Sequence, residues 1–135
     1  LRRVLKYRPF LIKPNNHELG EMFGVELKTD DDIIFHAKKL QEEGATNVLI
    51  SMAGDGAILL TAEDVFYRSA APKGTLVNSV GAGDSMVAGF LAGFMESDGS
   101  YEHAFYMGVA TGSASAFSPN LATREEALAL LKTIV

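Results

Sequence analysis

The segment Asn78-Ser79-Val80-Gly81-Ala82-Gly83-Asp84-Ser85-Met86 is the most informative part of the sequence, and it predicts a junction between a strand and a helix. Gly81 and Gly83 can adopt backbone angles closed to other residues, and neither has a side chain that would block an anion. At a helix N-terminus, the backbone N–H groups of residues 81 to 84 would converge on a phosphate or on developing negative charge. Gly81, Ala82 and Gly83 are therefore candidates for an anion-binding site.

Asp84 is unusual in such a site, because a carboxylate repels a phosphate unless it takes part in the reaction. Its expected role is to accept a hydroxyl proton while the neighbouring amides hold a phosphoryl group. The four residues Gly81 to Asp84 also fit an alternative, a simple turn in which Asp84 is the helix N-cap. Met86 stands where a dinucleotide-binding fingerprint needs its third glycine, and the sequence contains no Gly-Lys-Ser/Thr of a P-loop.

A second candidate segment is Lys13-Pro14-Asn15-Asn16-His17-Glu18, which follows a short apolar run. Lys13 lies at the end of the predicted strand, where its charge would meet a phosphate. Asn15 and Glu18 are three residues apart and share a helix face, where an amide and a carboxylate could orient water around magnesium. The same two residues also fit a helix cap with no further function.

A third candidate segment is Ser51-Met52-Ala53-Gly54-Asp55-Gly56. Ser51 is predicted at the carboxyl end of a strand, which is where open α/β sheets bind ligands. A plain hairpin turn through Gly54, Asp55 and Gly56 is the alternative.

Composition restricts the function classes. The chain has 135 residues, 47% of them hydrophobic, which fits one globular domain or a piece of a larger one. Its 12 basic and 17 acidic residues give a net charge of −5, which argues against a nucleic-acid or anionic-membrane surface. The sequence has no Cys, so disulfides and Cys-based zinc sites are excluded, and we expect a cytoplasmic protein. The start at Leu1, without Met, suggests a fragment that begins inside a longer protein.

Strands that alternate with helices in the first half, followed mostly by helices, predict an α/β layered sheet. The predicted elements in chain order are a strand at Phe10–Ile12, a helix from Asn15 to about Phe23, a helix from Thr29 to Gly44, strands at Val48–Met52, Ala57–Leu60 and Val65–Arg68, and helices after Asp84, from Tyr101 to about Phe117 and from Thr123 onward. Val65–Arg68 is predicted at the edge of the sheet. The small residues of the helix from Tyr101 predict close packing against another helix.

The order of the three segments resembles the carboxyl-terminal half of ribokinase-like (PfkB-type) carbohydrate kinases, in the phosphofructokinase branch. Asn78–Asp84 matches the family's anion-hole and catalytic-base motif, Asn15–Glu18 its Asn-x-x-Glu element, and Ser51–Gly56 its nucleotide loop. The resemblance runs over essentially the whole chain. It implies the carboxyl-terminal portion of a ribokinase-like layered sheet with flanking helices, as one nucleotide-binding part over residues 1–135. The family's amino-terminal half, with its lid and most sugar contacts, is missing.

The resemblance also implies residue roles. Asp84 would accept the proton of the sugar hydroxyl, and the amides of Gly81, Ala82 and Gly83 would stabilise the phosphoryl group. Glu18 would bind magnesium through water. The implied nucleotide-binding residues are Lys13, Asn15, Ser51, Gly54, Asp55 and Gly56, with Gly108 and Ser113 lining the adenine pocket. Looser candidates for a monovalent cation such as potassium are Asn78, Val80, Ser115, Ser118 and Asn120. Ribokinases commonly have Asp-Thr where this chain has Asn78-Ser79, which favours the phosphosugar branch.

The implied activity of the parent protein is transfer of the ATP γ-phosphoryl group to fructose 1-phosphate, giving fructose 1,6-bisphosphate. Kinases of tagatose 6-phosphate or fructose 6-phosphate are alternatives, because the discriminating sugar pocket lies in the missing half. The 135 residues alone are expected to be inactive, so a non-catalytic nucleotide-binding module is a further alternative.

The expected partners are ATP and a small phosphosugar, with no nucleic acid, no membrane, and a homodimer as an option for the intact protein. A dinucleotide-dependent oxidoreductase is disfavoured by the missing third glycine.

Overall fold

A computed structural model describes residues 2–77, 81–119 and 121–134. The described chain forms two compact units. The first covers the chain up to Ala53 together with Ala57–Arg68, and the second covers Gly54–Gly56 together with the chain from Ser69 onward.

The elements agree with the predicted order, but the strand predicted to lead into the glycine-rich segment is wrong for the described residues, since 70–77 form no strand. After a 3-10 helix at Arg2–Tyr7, the structure has β1 (Leu11–Ile12), α1 (Asn16–Phe23), α2 (Asp30–Glu43), β2 (Asn47–Ser51), a 3-10 turn (Ala53–Asp55), β3 (Ala57–Leu60), β4 (Phe66–Ser69), α3 (Ala82–Glu96), α4 (Tyr101–Ala116) and α5 (Arg124–Ile134). In the described part of the chain, every helix is too short or too polar to cross a lipid bilayer.

The four strands form one mixed sheet in the order β1-β2-β3-β4. β1 and β2 are parallel, and α1 and α2 supply the crossover that parallel neighbours need. β2 and β3 are antiparallel, with Val48 opposite Leu60 and Ser51 opposite Ala57. The predicted edge position of the Val65–Arg68 strand is confirmed, because β4 is the last strand of this sheet.

The core of the first unit lies between the sheet and α1 and α2. Alternate strand residues such as Val48, Ile50 and Ile58 face this core. Ile33, Ala37 and Leu40 recur at helical spacing on α2 and are buried against them. The amphipathic pattern in the sequence therefore fixes which face of α2 packs.

The starts of α1 and α2 are closed by reciprocal caps; the sequence predicted the pair of Asn15 and Glu18 at α1 and only the N-cap Thr29 at α2. The Glu18 amide donates to Asn15 Oδ1 at 2.8 Å, and the Asn15 amide donates to Glu18 Oε1 at 2.9 Å. Thr29 and Asp32 make the same pair of bonds at α2. Each cap satisfies N–H groups that have no partner inside the helix and is worth about 1 kcal/mol.

In the second unit, α3 and α4 pack closely through glycines. A Cβ atom on Gly93 would lie 2.9 Å from Met107 Cβ, one on Gly108 would lie 3.0 Å from the Met86 carbonyl oxygen, and one on Gly112 would lie 3.0 Å from Met86 Cβ. Real side chains at these positions would push the helices apart. The predicted close packing of the small-residue helix is therefore confirmed.

Glu96, at the end of α3, joins all three helices of the second unit. Its Oε1 lies 3.1 Å from His103 Nε2 on α4, and its Oε2 accepts from Arg124 Nη2 on α5 at 3.1 Å. These contacts, with the His103 hydrogen bond first and Arg124 second, lower the pKa of the Glu96 carboxyl below its ordinary value of 4.5. Exposed pairs of this kind add little individually, but this one connects three elements.

We expect the contribution of Glu96 to stability to depend on pH. Since the pKa is lower in the folded state than in the unfolded chain, the stabilisation is present above the ordinary value of 4.5 and is lost as the pH falls through the lowered pKa. Glu96→Gln should therefore lower the urea-unfolding midpoint of the intact protein near neutral pH and have a smaller effect in acid. Glu42→Gln, on the exposed face of α2, is the matched control. A Glu96→Gln effect of equal size at both pH values would contradict this account.

Candidate functional site

The amino end of α3 presents backbone N–H groups that have no acceptor among the described residues. Gly81 precedes the helix with a φ of 82°, in the left-handed region that favours glycine. The first helical hydrogen bond runs from the Ser85 amide to the Gly81 carbonyl oxygen at 2.9 Å. The amides of Ala82, Gly83 and Asp84 are therefore the first three of the helix, which have no acceptor within it.

This helix start differs from the other helix starts that the structure describes. Side-chain oxygens of Asn15, Thr29, Ser100 and Thr123 cap α1, α2, α4 and α5. No side-chain hydrogen bond caps α3 among the described residues. Its unpaired amides and the positive end of its dipole together favour a bound anion.

Asp84 is the third residue of α3 and is exposed. The alternative in which Asp84 is the N-cap is wrong, because the helix already begins at Ala82 and the cap position belongs to Gly81. Among the described residues none pairs with the Asp84 carboxylate. The carboxylate thus lies in the same helical turn as the amides of Ala82 and Gly83. Its role as a proton acceptor stays a prediction.

Two buried serines connect the start of α3 to the end of α4. Ser115 Oγ donates to Ser85 Oγ at 2.8 Å and accepts from the Ala122 amide at 2.9 Å. Sequence reasoning missed Ser85, although its place directly after Asp84 was a usable signal. It also considered Ser115 only as a cation ligand, whereas the Ser115 hydroxyl is already hydrogen-bonded inside the fold. A hydroxyl has one donor and two acceptor positions, so one acceptor position remains.

The other candidates for a monovalent cation are less defined. Asn78, Val80 and Asn120 lie outside the described residues. Ser118 follows α4, and its amide donates to the Ser115 carbonyl oxygen at 3.3 Å. The cation site stays a prediction.

In the first unit, the carboxyl ends of β1 and β2 meet. Asn15 and Ser51 form a parallel bridge, and the Ser51 amide donates to the Pro14 carbonyl oxygen at 3.3 Å. Lys13 lies just before this bridge and has no ion pair within the described ranges. The structure therefore brings Lys13, Asn15 and Ser51 to one sheet edge, where ligands bind in open α/β sheets.

Glu18 is the acidic residue of the second candidate segment, Lys13 to Glu18. It is exposed, and its Oε1 accepts from the Asn15 amide as part of the helix cap. Residues 2–77, 81–119 and 121–134 contain no cluster of three His, Asp or Glu side chains that could hold a metal by themselves. One carboxylate fits magnesium that is held mainly by phosphates and water. Magnesium at Glu18 stays a prediction.

The predicted nucleotide loop forms the turn between β2 and β3. Gly54 and Asp55 are exposed, and a Cβ on Gly54 would meet open space. Gly56 has a φ of 98°, and a Cβ there would collide with the Ser69 carbonyl oxygen, so this position requires glycine. The hairpin is confirmed, and nucleotide contact by these residues stays a prediction.

The two adenine-pocket candidates lie on α4. Gly108 is buried against α3, so helix packing alone explains a glycine there. Ser113 is partly exposed. Contact of either residue with a nucleotide stays a prediction.

Comparison with known proteins identifies the family. Residues 1–128 match the sequence profile of the pfkB family carbohydrate kinases. The chain is 52% identical to 1-phosphofructokinase of Bacillus subtilis, with 99% of this chain and 44% of that protein aligned. It is 41% identical to D-tagatose-1-phosphate kinase of Bacillus licheniformis, with 87% of this chain and 38% of that protein aligned.

Solved structures show the same fold. Phosphofructokinase-2 from Escherichia coli in complex with substrates and products superposes with a TM-score of 0.88 at 26% identity, over 98% of this chain and 44% of the enzyme. A second structure of that enzyme, in complex with potassium, has a TM-score of 0.86 at 27% identity, over 98% and 43% of the two chains. The chain therefore belongs to the pfkB family of carbohydrate kinases and has the ribokinase-like α/β fold. It spans less than half the length of the relatives it matches.

Substitutions at Asn15 should separate its cap from its predicted nucleotide contact. Serine caps helices as well as asparagine does, so Asn15→Ser should preserve stability while removing the amide group. If that amide contacts a phosphate, affinity for a non-hydrolysable ATP analogue should fall about tenfold in calorimetric titration of the intact protein. Asn16→Ser, one residue along, is the control and should preserve both. Unchanged affinity of the Asn15→Ser protein would reduce Asn15 to a structural cap.

Proposed function

We propose that the protein containing this chain is a sugar-phosphate kinase that transfers the γ-phosphoryl group of ATP to a phosphosugar hydroxyl. The observation that carries the proposal is the start of α3, where three amides without a partner in the described part of the chain adjoin the exposed Asp84 carboxylate. This arrangement lies in the segment that matches the family's catalytic motif. Membership of the pfkB family supports the same reaction class.

The reaction needs positioning and charge stabilisation more than covalent chemistry from the protein. The amides of Ala82, Gly83 and Asp84 would donate to oxygens of the moving phosphoryl group, whose negative charge the helix dipole also favours. Asp84 would orient the sugar hydroxyl and take its proton as the oxygen attacks phosphorus. The two functions are compatible because the carboxylate and the amides project from the same helical turn.

In this proposal, residues at the carboxyl ends of β1 and β2 bind the nucleotide. Lys13 would neutralise phosphate charge, while Asn15 and Ser51 would donate hydrogen bonds from the adjoining ends of β1 and β2. Magnesium, when bound through water to Glu18, would neutralise charge on the ATP phosphates. The roles of Gly54, Asp55, Gly56, Gly108 and Ser113 rest on the family resemblance.

Fructose 1-phosphate is the proposed acceptor. The relatives named above act, by their names, on fructose or tagatose phosphates, which supports a ketohexose phosphate.

Potassium as an activator is proposed from the candidates Ser115 and Ser118 and from the potassium complex of the Escherichia coli enzyme. A homodimer of the intact protein remains a proposal without a described contact.

An acceptor panel tests the substrate proposal. The intact protein should be assayed with ATP, magnesium and the 1- and 6-phosphates of fructose and tagatose, and we expect the highest kcat/KM for fructose 1-phosphate. A preference for a 6-phosphate would replace this acceptor and keep the kinase. ATP binding without turnover of any of the four would favour a nucleotide-binding module.

Asp84→Asn tests the catalytic role. The amide keeps the size of the carboxyl group but cannot take a proton, so kcat should fall by at least about 10²-fold, with ATP affinity nearly unchanged. Asp98→Asn is the matched control, because Asp98 is exposed just beyond the other end of α3, with a φ of 56° that asparagine tolerates. A decrease in kcat below about tenfold for Asp84→Asn would remove Asp84 from the role of base.

A further inference from the structure

One hydroxyl group connects three segments around the start of α3. Ser115 lies in the last turn of α4 and is 2% exposed. Its Oγ donates to Ser85 Oγ at 2.8 Å and accepts from the Ala122 amide at 2.9 Å. The segments that meet here are the first turn of α3, the end of α4 and the loop that leads to α5.

The contact with Ser85 acts on the turn that carries the unpaired amides. Ser85 follows Asp84 directly, and its own amide makes the first hydrogen bond of α3, to the Gly81 carbonyl oxygen at 2.9 Å. Ser85 is 9% exposed, so its side chain faces the protein while Asp84 faces outward. A fixed Ser85 therefore fixes the direction of both the Asp84 side chain and the neighbouring N–H groups.

The contact with Ala122 acts on a segment that lies next to Gly81. Leu121, the residue before Ala122, lies against Gly81, and its Cδ2 is 2.9 Å from where a Cβ on Gly81 would stand. The hydrogen bond from the Ala122 amide holds this loop in place. Ser115 thus restrains Gly81 through the loop and residues 82–85 through Ser85.

We propose that Ser115 is a positioning residue that sets the geometry of the backbone amides of residues 82 to 84 and of the Asp84 carboxylate. This role rests on the proposed kinase function. The bonds are enforced because a buried hydroxyl or amide without a partner is costly. Phosphoryl transfer is sensitive to such control, since a misplacement of about 1 Å at a reacting group costs about 10²-fold in rate. The Ser115 hydroxyl itself touches no reacting atom.

Ser115→Ala in the intact protein tests the kinetic consequence. We expect kcat to fall about 10- to 100-fold while KM for ATP changes by less than about threefold, because only positioning for the chemical step is lost. Ser115→Thr keeps the hydroxyl and should restore most of kcat. The control is Thr111→Val, which removes a hydroxyl one turn earlier on α4; among the described residues, that hydroxyl donates only to the Met107 carbonyl oxygen of its own helix. Thr111→Val should leave kcat unchanged even if it lowers the melting temperature.

Amide hydrogen exchange tests the positioning without any turnover. In the protein without ligand, Ser115→Ala should speed exchange in the peptide covering residues 81–88 by about tenfold, whereas Thr111→Val should not. Unchanged exchange there, or an unchanged kcat, in the Ser115→Ala protein would overturn the proposal. Faster exchange in a protein that phosphorylates no sugar would retain the positioning role and reject the kinase assignment.

Ser85→Ala serves as a second variant if Ser115→Ala does not fold. It removes the acceptor on α3 and retains the bond between Ser115 and the Ala122 amide. We expect a smaller loss of kcat and faster exchange limited to the start of α3. Wild-type kcat and exchange in Ser85→Ala would overturn the proposal.

Discussion

The first amides of an α-helix have no acceptors within the helix, and the arrangement of the candidate site follows from how this constraint is met. α1 and α2 meet it with side chains, in the paired caps of Asn15 with Glu18 and of Thr29 with Asp32. α3 follows a glycine at its cap position, Gly81, and has no such side-chain cap among the described residues. Its open hydrogen-bonding capacity is the physical basis for binding an anion at that end.

Leaving a helix start uncapped removes a source of stability, so other interactions must hold α3 in place. The glycine contacts with α4 bring the two helix backbones together along much of their length. The buried bond between Ser85 and Ser115 adds a directional restraint next to the open amides. Close packing and one hydrogen bond therefore replace the local cap, and they hold the donors ready before any ligand arrives.

Local signals in the sequence predicted the elements well, because caps and breakers act over three or four residues. Asn15 and Glu18 marked the start of one helix, and Thr29 and Gly44 marked both ends of another. Interactions between distant residues left no such signal. The Asn47 side chain is fully buried and bonds to the Phe10 carbonyl oxygen and the Ala62 amide, which are 37 and 15 residues away.

The candidate site divides in the same way. The glycine-rich motif identified the amides and Asp84 from neighbouring residues alone. The position of Asp84 inside the helix, rather than at its cap, depends on where α3 begins. The hydrogen bond between Ser85 and Ser115 joins residues 30 positions apart, so no local pattern in the sequence predicts it.

The close approach of α3 and α4 also affects how mutational scans of this family should be interpreted. Gly108 and Gly112 contact the backbone and side chain of Met86, within two turns of Asp84. A methyl group added at either glycine would force nearby atoms of α3 to move by a few tenths of an ångström, close to Asp84. Loss of activity in variants at these glycines would then result from altered packing of α3 against α4, and it would not show that either residue contacts a substrate.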